Sequence, residues 1–365
     1  MNLLDEARIE INAVDREMAE LFEKRMRASE KVAAYKKDNG LPILDPAREA
    51  AVIEKGASYI KDETLREYYV QFLKSTMKIS RDYQGRLLDG MRVAYCGTEG
   101  AFAHIASRKL FPDATKIAYS NFEAAYDAVE NGQCDACVLP VENSSNGEVG
   151  SVTDMLFSGS LYVNGMIELA VSQDLLALPG ASLAGIKTVV SHPQALGQCA
   201  DFIEVHNLES REFSNTAKAA EWVSRQSDKS FAAIASAEAA SLYGLTVLQS
   251  NINQSRNNTT KFVVVSRVKC KHEATPAGLH SILTFTVRNE AGALAKAIDI
   301  IGRHGFNMRT LRSRPMKELL WQYYFYIEAE GNMDTEEGAK MLADLAPYCE
   351  RLKVAGTYVK TESIH

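Results

Sequence analysis

The first 38 residues predict one uninterrupted helix, which is too long for the surrounding chain to cover. At 1.5 Å per residue it would be on the order of 50 Å long. A domain that ends near residue 88 cannot enclose such a rod, so we expect a dimer in which the long helices of two chains cross. Apolar or small residues alternate at spacings of three and four, the seam pattern of a coiled coil, and include Leu4, Ala7, Ile11, Val14, Met18, Leu21, Ala28, Val32 and Tyr35.

Cations interrupt this apolar seam. Arg25 occupies a seam position, and Lys36, eleven residues later, returns to nearly the same face of the helix. Arg8 lies close to the same seam near the start of the helix. A single seam arginine would usually set the register or the oligomeric state. Three cations along one face indicate a dianionic ligand instead.

Two shorter helices are expected to complete this region. Asn39-Gly40 predicts the end of the first helix, with glycine as its C-terminal cap. Asp45-Pro46 predicts the start of the second, which runs to about residue 58, and a third covers roughly residues 62–87. The second helix carries Arg48 and Glu49 after its Asp45 cap, and Ser80 and Gln84 of the third helix, four residues apart, lie on one face.

A strand, a polar loop and a helix start are predicted across residues 138–155, VLPVENSSNGEVGSVTDM. Open α/β sheets bind ligands beyond the carboxyl ends of their strands. Hydroxyls, side-chain amides and free N–H groups at a helix N-terminus suit an anion. An ordinary N-capped turn gives the same pattern, so this stretch alone leaves both interpretations open.

Residues 92–141 and 187–235 repeat one order of elements: strand, loop, helix, strand, capped helix, strand. An extended crossover near residues 161–178 joins them, which predicts two lobes with a ligand-binding cleft. After residue 248 a loop rich in asparagine and serine leads into Thr259-Thr260-Lys261-Phe262 and should return the chain to the first lobe. His192 sits at a strand end beside proline, where a structural role and a catalytic one are equally open.

From residue 281 onward the pattern changes to βαββαβ, which is typical of a ferredoxin-like module. Strands are predicted near residues 281–287, 306–311, 321–329 and 352–358, with helices after residue 289 and over 334–345. Gly292-Ala293-Leu294 opens the first of these helices, where free N–H groups can hold a carboxylate.

Composition excludes several classes of protein. The net charge is −6, from 41 basic and 47 acidic residues, and no basic block indicates nucleic acid. The apolar runs are too short for a membrane span, and residues 1–20 are too charged for a signal peptide, so we expect a cytoplasmic chain. The one C-x-x-C, at residues 134–137, lacks the further ligands of a zinc site.

These residues and their spacing resemble those of the helical chorismate mutases that are fused to prephenate dehydratase, and the resemblance extends over nearly all 365 residues. The resemblance implies an all-α intertwined helical chorismate mutase domain at 1–88 and an α/β two-lobed, periplasmic-binding-protein-like dehydratase domain at 91–270. An α+β ferredoxin-like ACT regulatory domain would follow at 279–365. The implied partners are chorismate, prephenate, L-phenylalanine and further copies of the chain in a homodimer or higher oligomer, with no metal or organic cofactor.

The resemblance also implies roles for individual residues. In the mutase, Lys36, Glu49 and Gln84 would be catalytic, Arg25, Asp45, Arg48 and Ser80 would bind substrate, and Arg8 would reach the partner chain's site. In the dehydratase, Thr260 would donate a proton, surrounded by Glu142, Asn143, Ser144, Thr153, Ser191, Asn215, Thr216, Thr259 and Lys261. Regulation would use Gly292, Ala293, Leu294, Ser313, Arg314 and Pro315.

Three of the resembling stretches differ from the family pattern. In the first glycine loop, Ala101 and Ala103 stand where the family usually has serines. Lys261 stands where the family has the arginine of Thr-Arg-Phe, so the charge is kept but the planar fork is lost. Arg312 stands where the family has the glutamate of Glu-Ser-Arg-Pro, which reverses a charge. We expect phenylalanine inhibition to be retained but weakened.

Two alternatives remain at this point. The chain could be a dehydratase whose helical arm serves only to dimerise, although the cations at Arg8, Arg25, Lys36 and Arg48 argue against that. It could also be a ligand sensor that binds in the cleft without turnover. The mutase reading requires no nucleophile, only a held substrate conformation and donors at the breaking ether oxygen, for which Lys36 and Gln84 are the candidates.

Overall fold

The computed structural model of the chain describes residues 2–255, 257–272, 278–316 and 322–359. These form two compact units, Met1–Arg92 and Val93–His365. The predicted start of a strand at residue 321 lies outside the described residues.

The first unit consists of three helices, α1 (Leu3–Asp38), α2 (Pro46–Ala57) and α3 (Glu63–Asp89). Both of the first two begin at side-chain caps: Asn2 Oδ1 accepts from the Asp5 N–H at 2.9 Å, and Asp45 Oδ1 accepts from the Arg48 N–H at 3.0 Å. α1 and α2 each pack against α3. The three predicted helices are therefore confirmed, with bounds that differ from the prediction by one or two residues.

The N-terminal half of α1 presents its apolar seam to solvent within the single chain. Leu4, Ile11, Val14 and Leu21 are each between 49% and 61% exposed. Further along the same helix Ser29 and Ala33 are buried. These are the two buried residues among those described in α1, and the seam residues Val32 and Tyr35 stay exposed in the single chain.

The second unit begins with the first lobe, which contains β1 (Arg92–Cys96), α4 (Phe102–Leu110), β2 (Thr115–Tyr119), α5 (Phe122–Glu130), β3 (Ala136–Asn143), β4 (Gly147–Glu148) and α6 (Gly150–Ser158). The crossover consists of β5 (Tyr162–Ala170) and β6 (Asp174–Ala177). The second lobe contains β7 (Thr188–Ser191), α7 (Pro193–Gln198), α8 (Ala200–Val205), β8 (Glu209–Glu212), α9 (Thr216–Ser224), β9 (Phe231–Ala235), α10 (Ala237–Tyr243) and β10 (Thr246–Gln249). β11 (Thr259–Ser266) returns to the first lobe, as predicted.

The C-terminal module follows with β12 (Leu279–Val287), α11 (Ala293–Arg303), β13 (Asn307–Pro315), β14 (Tyr323–Glu330), α12 (Glu336–Leu345) and β15 (Cys349–Val359). Short 3₁₀ turns occur at Leu183–Gly185 and Ala346–Tyr348. The sequence pattern predicted this βαββαβ order, and the strands pair antiparallel in the order β13-β14-β12-β15.

The strands form two sheets. One sheet of ten strands follows the path β13-β14-β12-β15-β5-β11-β3-β1-β2, with β4 on β3, so the C-terminal module and the first lobe share it. The junction is a parallel pairing of Gly356 with Val163, where a side chain on Gly356 would collide with the Val163 backbone. The second sheet has the order β10-β6-β9-β7-β8 and forms the second lobe. No helix in the described ranges is long and apolar enough to cross a membrane.

Candidate active sites

A cavity of about 440 Å³ lies among the three helices of the first unit. Residues from all three helices line it because α1 and α2 both pack on α3. Its lining includes seven residues predicted from the sequence: Arg25, Lys36, Asp45, Arg48, Glu49, Ser80 and Gln84.

The donors of this cavity are held in place by neighbouring helices. The Arg25 guanidinium donates to the Ser80 hydroxyl and, at 3.4 Å, to the Thr76 carbonyl, and burial lowers the pKa of Arg25. The Lys36 ammonium donates to the Ile43 carbonyl, which leaves two of its protons for other acceptors. Gln84 is 7% exposed, and its amide oxygen has no hydrogen-bond partner in the described part of the chain. A buried amide of this kind is available to a ligand.

Arg81 is a cavity residue that the sequence analysis missed. It lines the same space and forms an ion pair with Glu49, which fixes that carboxylate at the cavity wall. Arg81 lies three residues before Gln84 and therefore on the same face of α3, so helical spacing from Gln84 could have predicted it.

Arg8 does not line this cavity. It is exposed on α1, 17 residues before Arg25, which corresponds to about 25 Å of helix. Within one chain the two arginines therefore cannot hold the same small ligand.

A second cavity, of about 510 Å³, lies in the cleft of the second unit. Asn143 and Thr260 face it from the first lobe, and Asn215 and Thr216 face it from the start of α9. His192 also lines it, and its Nδ1 accepts from the Gln194 N–H at 3.3 Å.

Asn143 and Thr260 form a hydrogen-bonded polar pair at the wall of this cleft. Asn143 Nδ2 donates to Thr260 Oγ1 at 2.9 Å and to Asn258 Oδ1 at 2.9 Å. Asn143 Oδ1 accepts from the N–H groups of Ser145 and Asn146, each at 3.0 Å. Because the Thr260 oxygen is already accepting from Asn143, its own O–H can point into the cavity.

A β-bulge in β3 determines on which face of the sheet these side chains lie. Thr260 pairs with Asn143 and Lys261 with Glu142, but Phe262 pairs with Pro140, so Val141 is the extra residue. Bulges commonly re-aim side chains beside active sites. Strand alternation then turns Glu142 and Lys261 to the face opposite the cavity.

The structure therefore differs from the prediction for Glu142 and Lys261, neither of which lines the cavity. Lys261 Nζ lies 3.2 Å from Glu142 Oε2 and 3.8 Å from Glu328 Oε2. Burial raises the pKa of Glu142, but the hydrogen bond from Arg312 and the charge of Lys261 outweigh it and leave that pKa below its usual value.

Four further predicted residues lie near the cleft without lining it. Ser144 and Thr259 tie two loops together, since the Thr259 N–H donates to Ser144 Oγ at 2.9 Å and the Ser144 N–H donates to the Thr259 carbonyl at 2.8 Å. Ser191 is fully buried and donates to the Ile234 carbonyl. Thr153 is fully buried on α6, with no hydrogen-bond partner for its hydroxyl among the described residues.

No lysine, arginine, aspartate or glutamate occurs among the described residues that line this cavity. Anion binding would therefore rely on neutral donors and on the N-termini of α4 and α9, where N–H groups favour negative charge. The first turn of α4 lacks a side-chain cap and faces the cavity at Phe102 and Ala103. Burial raises the pKa of the Cys96 thiol in the same wall, so it is not an activated nucleophile.

Two glutamines of this cavity were missed by the sequence analysis. Gln173 is 3% exposed, and its amide oxygen has no hydrogen-bond partner within the described ranges. Gln198 accepts from Asn258 Nδ2 at 3.1 Å and lies four residues after Gln194 on α7. Gln173 lies in a polar run, Ser172-Gln173-Asp174, between two apolar stretches of the crossover, which is the only trace of it in the sequence.

A third cavity, of about 190 Å³, lies in the C-terminal module. Leu294 of the predicted Gly292-Ala293-Leu294 motif lines it, together with Asn289 and Glu290 from the preceding loop. Gly292 caps α11 with a φ of 81°, a left-handed conformation that favours glycine. Ser313, Arg314 and Pro315 lie on β13 and do not line this cavity.

The sequence matches the family model of chorismate mutase type II over residues 7–85 and that of prephenate dehydratase over residues 93–270. A bifunctional chorismate mutase/prephenate dehydratase of Aquifex aeolicus (strain VF5) is 30% identical over 372 residues, covering 99% of this chain and 99% of the relative. The chain belongs to this bifunctional family. The resemblance inferred from the residues is thereby confirmed.

Two solved structures extend the comparison. A prephenate dehydratase from Arthrobacter aurescens, solved in complex with L-Phe, is 28% identical with a TM-score of 0.69, and the match covers 75% of this chain and 91% of that one. GqqA, described as a novel type of quorum quenching acylase, is 30% identical with a TM-score of 0.68, covering 74% of this chain and 98% of that one. The shared fold therefore accompanies more than one described activity, and the reaction has to be argued from the site.

Proposed function

We propose that the helical unit rearranges chorismate to prephenate and that the second unit converts prephenate to phenylpyruvate. The proposal rests on how the predicted site residues come together. Seven residues predicted for the mutase site line one cavity, and four residues predicted for the dehydratase site line another.

The first cavity suits a rearrangement of a dianion. Arg25 and Arg48 are placed to bind carboxylates in a forked manner. As the ether bond breaks, its oxygen gains negative charge, which the Lys36 ammonium and the Gln84 amide would stabilise. The amide can present either end to the ligand, because its oxygen and nitrogen are interchanged by a flip. Asp45 and Glu49 are acceptors for a substrate hydroxyl.

The second cavity suits the loss of carbon dioxide and a ring hydroxyl. The Thr260 O–H would donate to the departing hydroxyl, while Asn143 holds the Thr260 oxygen at 2.9 Å. A threonine is a weak acid, so it would orient the proton in a fixed network. No cation among the described lining residues anchors a carboxylate here, so decarboxylation breaks no salt bridge.

Two single-site variants separate the two reactions. Lys36→Met should abolish the consumption of chorismate and leave the turnover of added prephenate intact. Asn143→Ala should still convert chorismate to prephenate, but the prephenate should accumulate because the dehydratase step is lost. Lys37→Met is the matched control, because Lys37 is exposed and does not line the cavity. Chorismate turnover by Lys36→Met at the rate of the control would refute the assignment of the first site.

Regulation by phenylalanine is proposed for the C-terminal module, which we interpret as an ACT domain. A relative with 28% identity was solved with L-Phe, and the uncapped start of α11 can hold a carboxylate. Gly292→Val should abolish inhibition in a phenylalanine titration of the dehydratase rate. Gly305→Val is the control, since Gly305 lies just beyond the other end of α11 with a φ of 80°. Equal inhibition curves for both variants would reject this site.

A crossed dimer is proposed to complete the mutase site, and the exposed seam of α1 supports a second copy of the chain as its partner. Arg8 would then enter the partner's cavity. Heterodimers of inactive Arg8→Ala and inactive Lys36→Ala chains should regain some mutase activity, and heterodimers without any recovery would contradict the crossing. A cytoplasmic location is proposed on family membership alone.

A further inference from the structure

A charge cluster lies behind the catalytic strand pair of the dehydratase, on the face away from the cavity. Arg312, on β13 of the C-terminal module, forms an ion pair with Glu142 at the end of β3. Lys261 lies 3.2 Å from the same carboxylate and 3.8 Å from Glu328 of β14. These four side chains are between 8% and 26% exposed, so water screens them less than it screens surface pairs.

A second arginine of the same strand, Arg314, contacts the segment that follows β3, at Glu148 of β4 and at Asp154 of α6. Arg314 Nε donates to Asp154 Oδ1 at 2.8 Å and lies 3.7 Å from Glu148 Oε1. The Tyr324 hydroxyl donates to the same Asp154 oxygen at 2.7 Å. Residues two apart on a strand share a face, so β13 contacts both ends of residues 142–154.

The cluster adjoins the catalytic pair through the strand register. Glu142 pairs with Lys261, and the neighbouring pair is Asn143 with Thr260. We propose that Arg312 is a positioning residue for the dehydratase, acting through Glu142 and Lys261 to hold Asn143 and Thr260 in place. The C-terminal module would then be part of the dehydratase machinery as well as its regulator. This inference rests on the proposed dehydratase function.

The charges within the cluster support this role. Glu142 sits between two cations that outweigh its burial and keep its pKa below the usual value. The Arg312 guanidinium lies 5.9 Å from the centre of the buried Tyr326 ring, which restricts its movement. Removing Arg312 would leave two carboxylates, Glu142 and Glu328, to share the single cation of Lys261 at a partly buried site, which is unfavourable.

The test is steady-state dehydratase kinetics on prephenate for Arg312→Met and Arg312→Lys, with the mutase rate of the same proteins as internal control. Arg312→Met should lower kcat about tenfold with little change in KM, and Arg312→Lys should restore most of it. Arg309→Met is the matched control, because Arg309 lies on the same strand but pairs with the exposed Glu330 of its own module. Its kcat should equal that of the wild type.

A double variant tests the route through Glu142. If Arg312 acts through that carboxylate, Glu142→Gln combined with Arg312→Met should lose no more than the worse single variant, which is the signature of coupled residues. Wild-type kcat in Arg312→Met, an equal loss in Arg309→Met, or fully multiplicative losses would overturn the inference. A wild-type enzyme that turns over no prephenate would instead reject the dehydratase function itself.

Discussion

Replacing Thr260 by valine removes one hydroxyl from the cleft while the size and strand preference of the side chain are nearly kept. Asn143 Nδ2 loses one acceptor at 2.9 Å but keeps Asn258 Oδ1 at 2.9 Å. Such a loss costs roughly 0.5–1.5 kcal/mol of folding free energy. General acid–base assistance contributes about 10²- to 10⁴-fold to a rate, or roughly 2.7–5.4 kcal/mol at about 1.36 kcal/mol per tenfold. The catalytic loss should therefore exceed the loss of stability.

The assay is phenylpyruvate formation from added prephenate, followed by its absorbance in alkali. We expect Thr260→Val to lower kcat by at least about 100-fold, with the mutase rate unchanged. Thr260→Ser is the control that keeps the hydroxyl, and it should stay close to the wild type. A valine variant with wild-type kcat and a raised KM would refute the role of Thr260 in the chemical step and make it a binding residue.

Other predictions concern the mutase cavity and the C-terminal module. Arg25→Met should lower kcat/KM for chorismate by roughly 10- to 100-fold, because hydrogen bonds of charged groups contribute about 1.5–3 kcal/mol. The dehydratase kinetics of this variant should be unchanged, and an equal loss of both activities would indicate unfolding. Arg81→Met should lower the mutase rate less, by about tenfold, because Arg81 acts only through Glu49. An unchanged rate would mean that the ion pair between Arg81 and Glu49 has no role in the mutase reaction. Hydrogen bonds with Glu337 and then Asp344 raise the pKa of His304. Their stabilisation is therefore complete below about pH 6.5 and is lost as pH rises through the higher folded pKa. The midpoint temperature of thermal unfolding of the wild type should fall towards that of His304→Gln across that range. A constant difference between the two midpoints would contradict this prediction.

The helical unit could be predicted almost entirely from the sequence because its signals are local. Asp45-Pro46 and Asn39-Gly40 mark helix ends through their own backbone chemistry. Residues at helical spacing share a face, so Arg25 and Lys36 were predicted on one face and do line one cavity. What spacing could not supply was the partner of Glu49, because Arg81 is 32 residues away and its contact depends on how α2 packs on α3.

The dehydratase cleft was less accessible to sequence reasoning. Asn143 and Glu142 are neighbours in a motif, yet strand alternation and the bulge at Val141 turn one to the cavity and the other away. A bulge depends on the register of two strands more than 110 residues apart, which no local pattern encodes. The pairing of Arg312 with Glu142 depends in turn on how the C-terminal module packs against the first lobe, through the β15–β5 pairing and through α6.

The most direct test of the two proposed activities is to incubate the purified wild-type protein with chorismate alone and to follow chorismate, prephenate and phenylpyruvate over time. We expect chorismate to disappear, prephenate to rise and then fall, and phenylpyruvate to accumulate without any added cofactor. Stable binding of chorismate or prephenate without turnover would contradict both activities and support a ligand sensor. Turnover of prephenate but not of chorismate would mean that the helical unit serves only to dimerise.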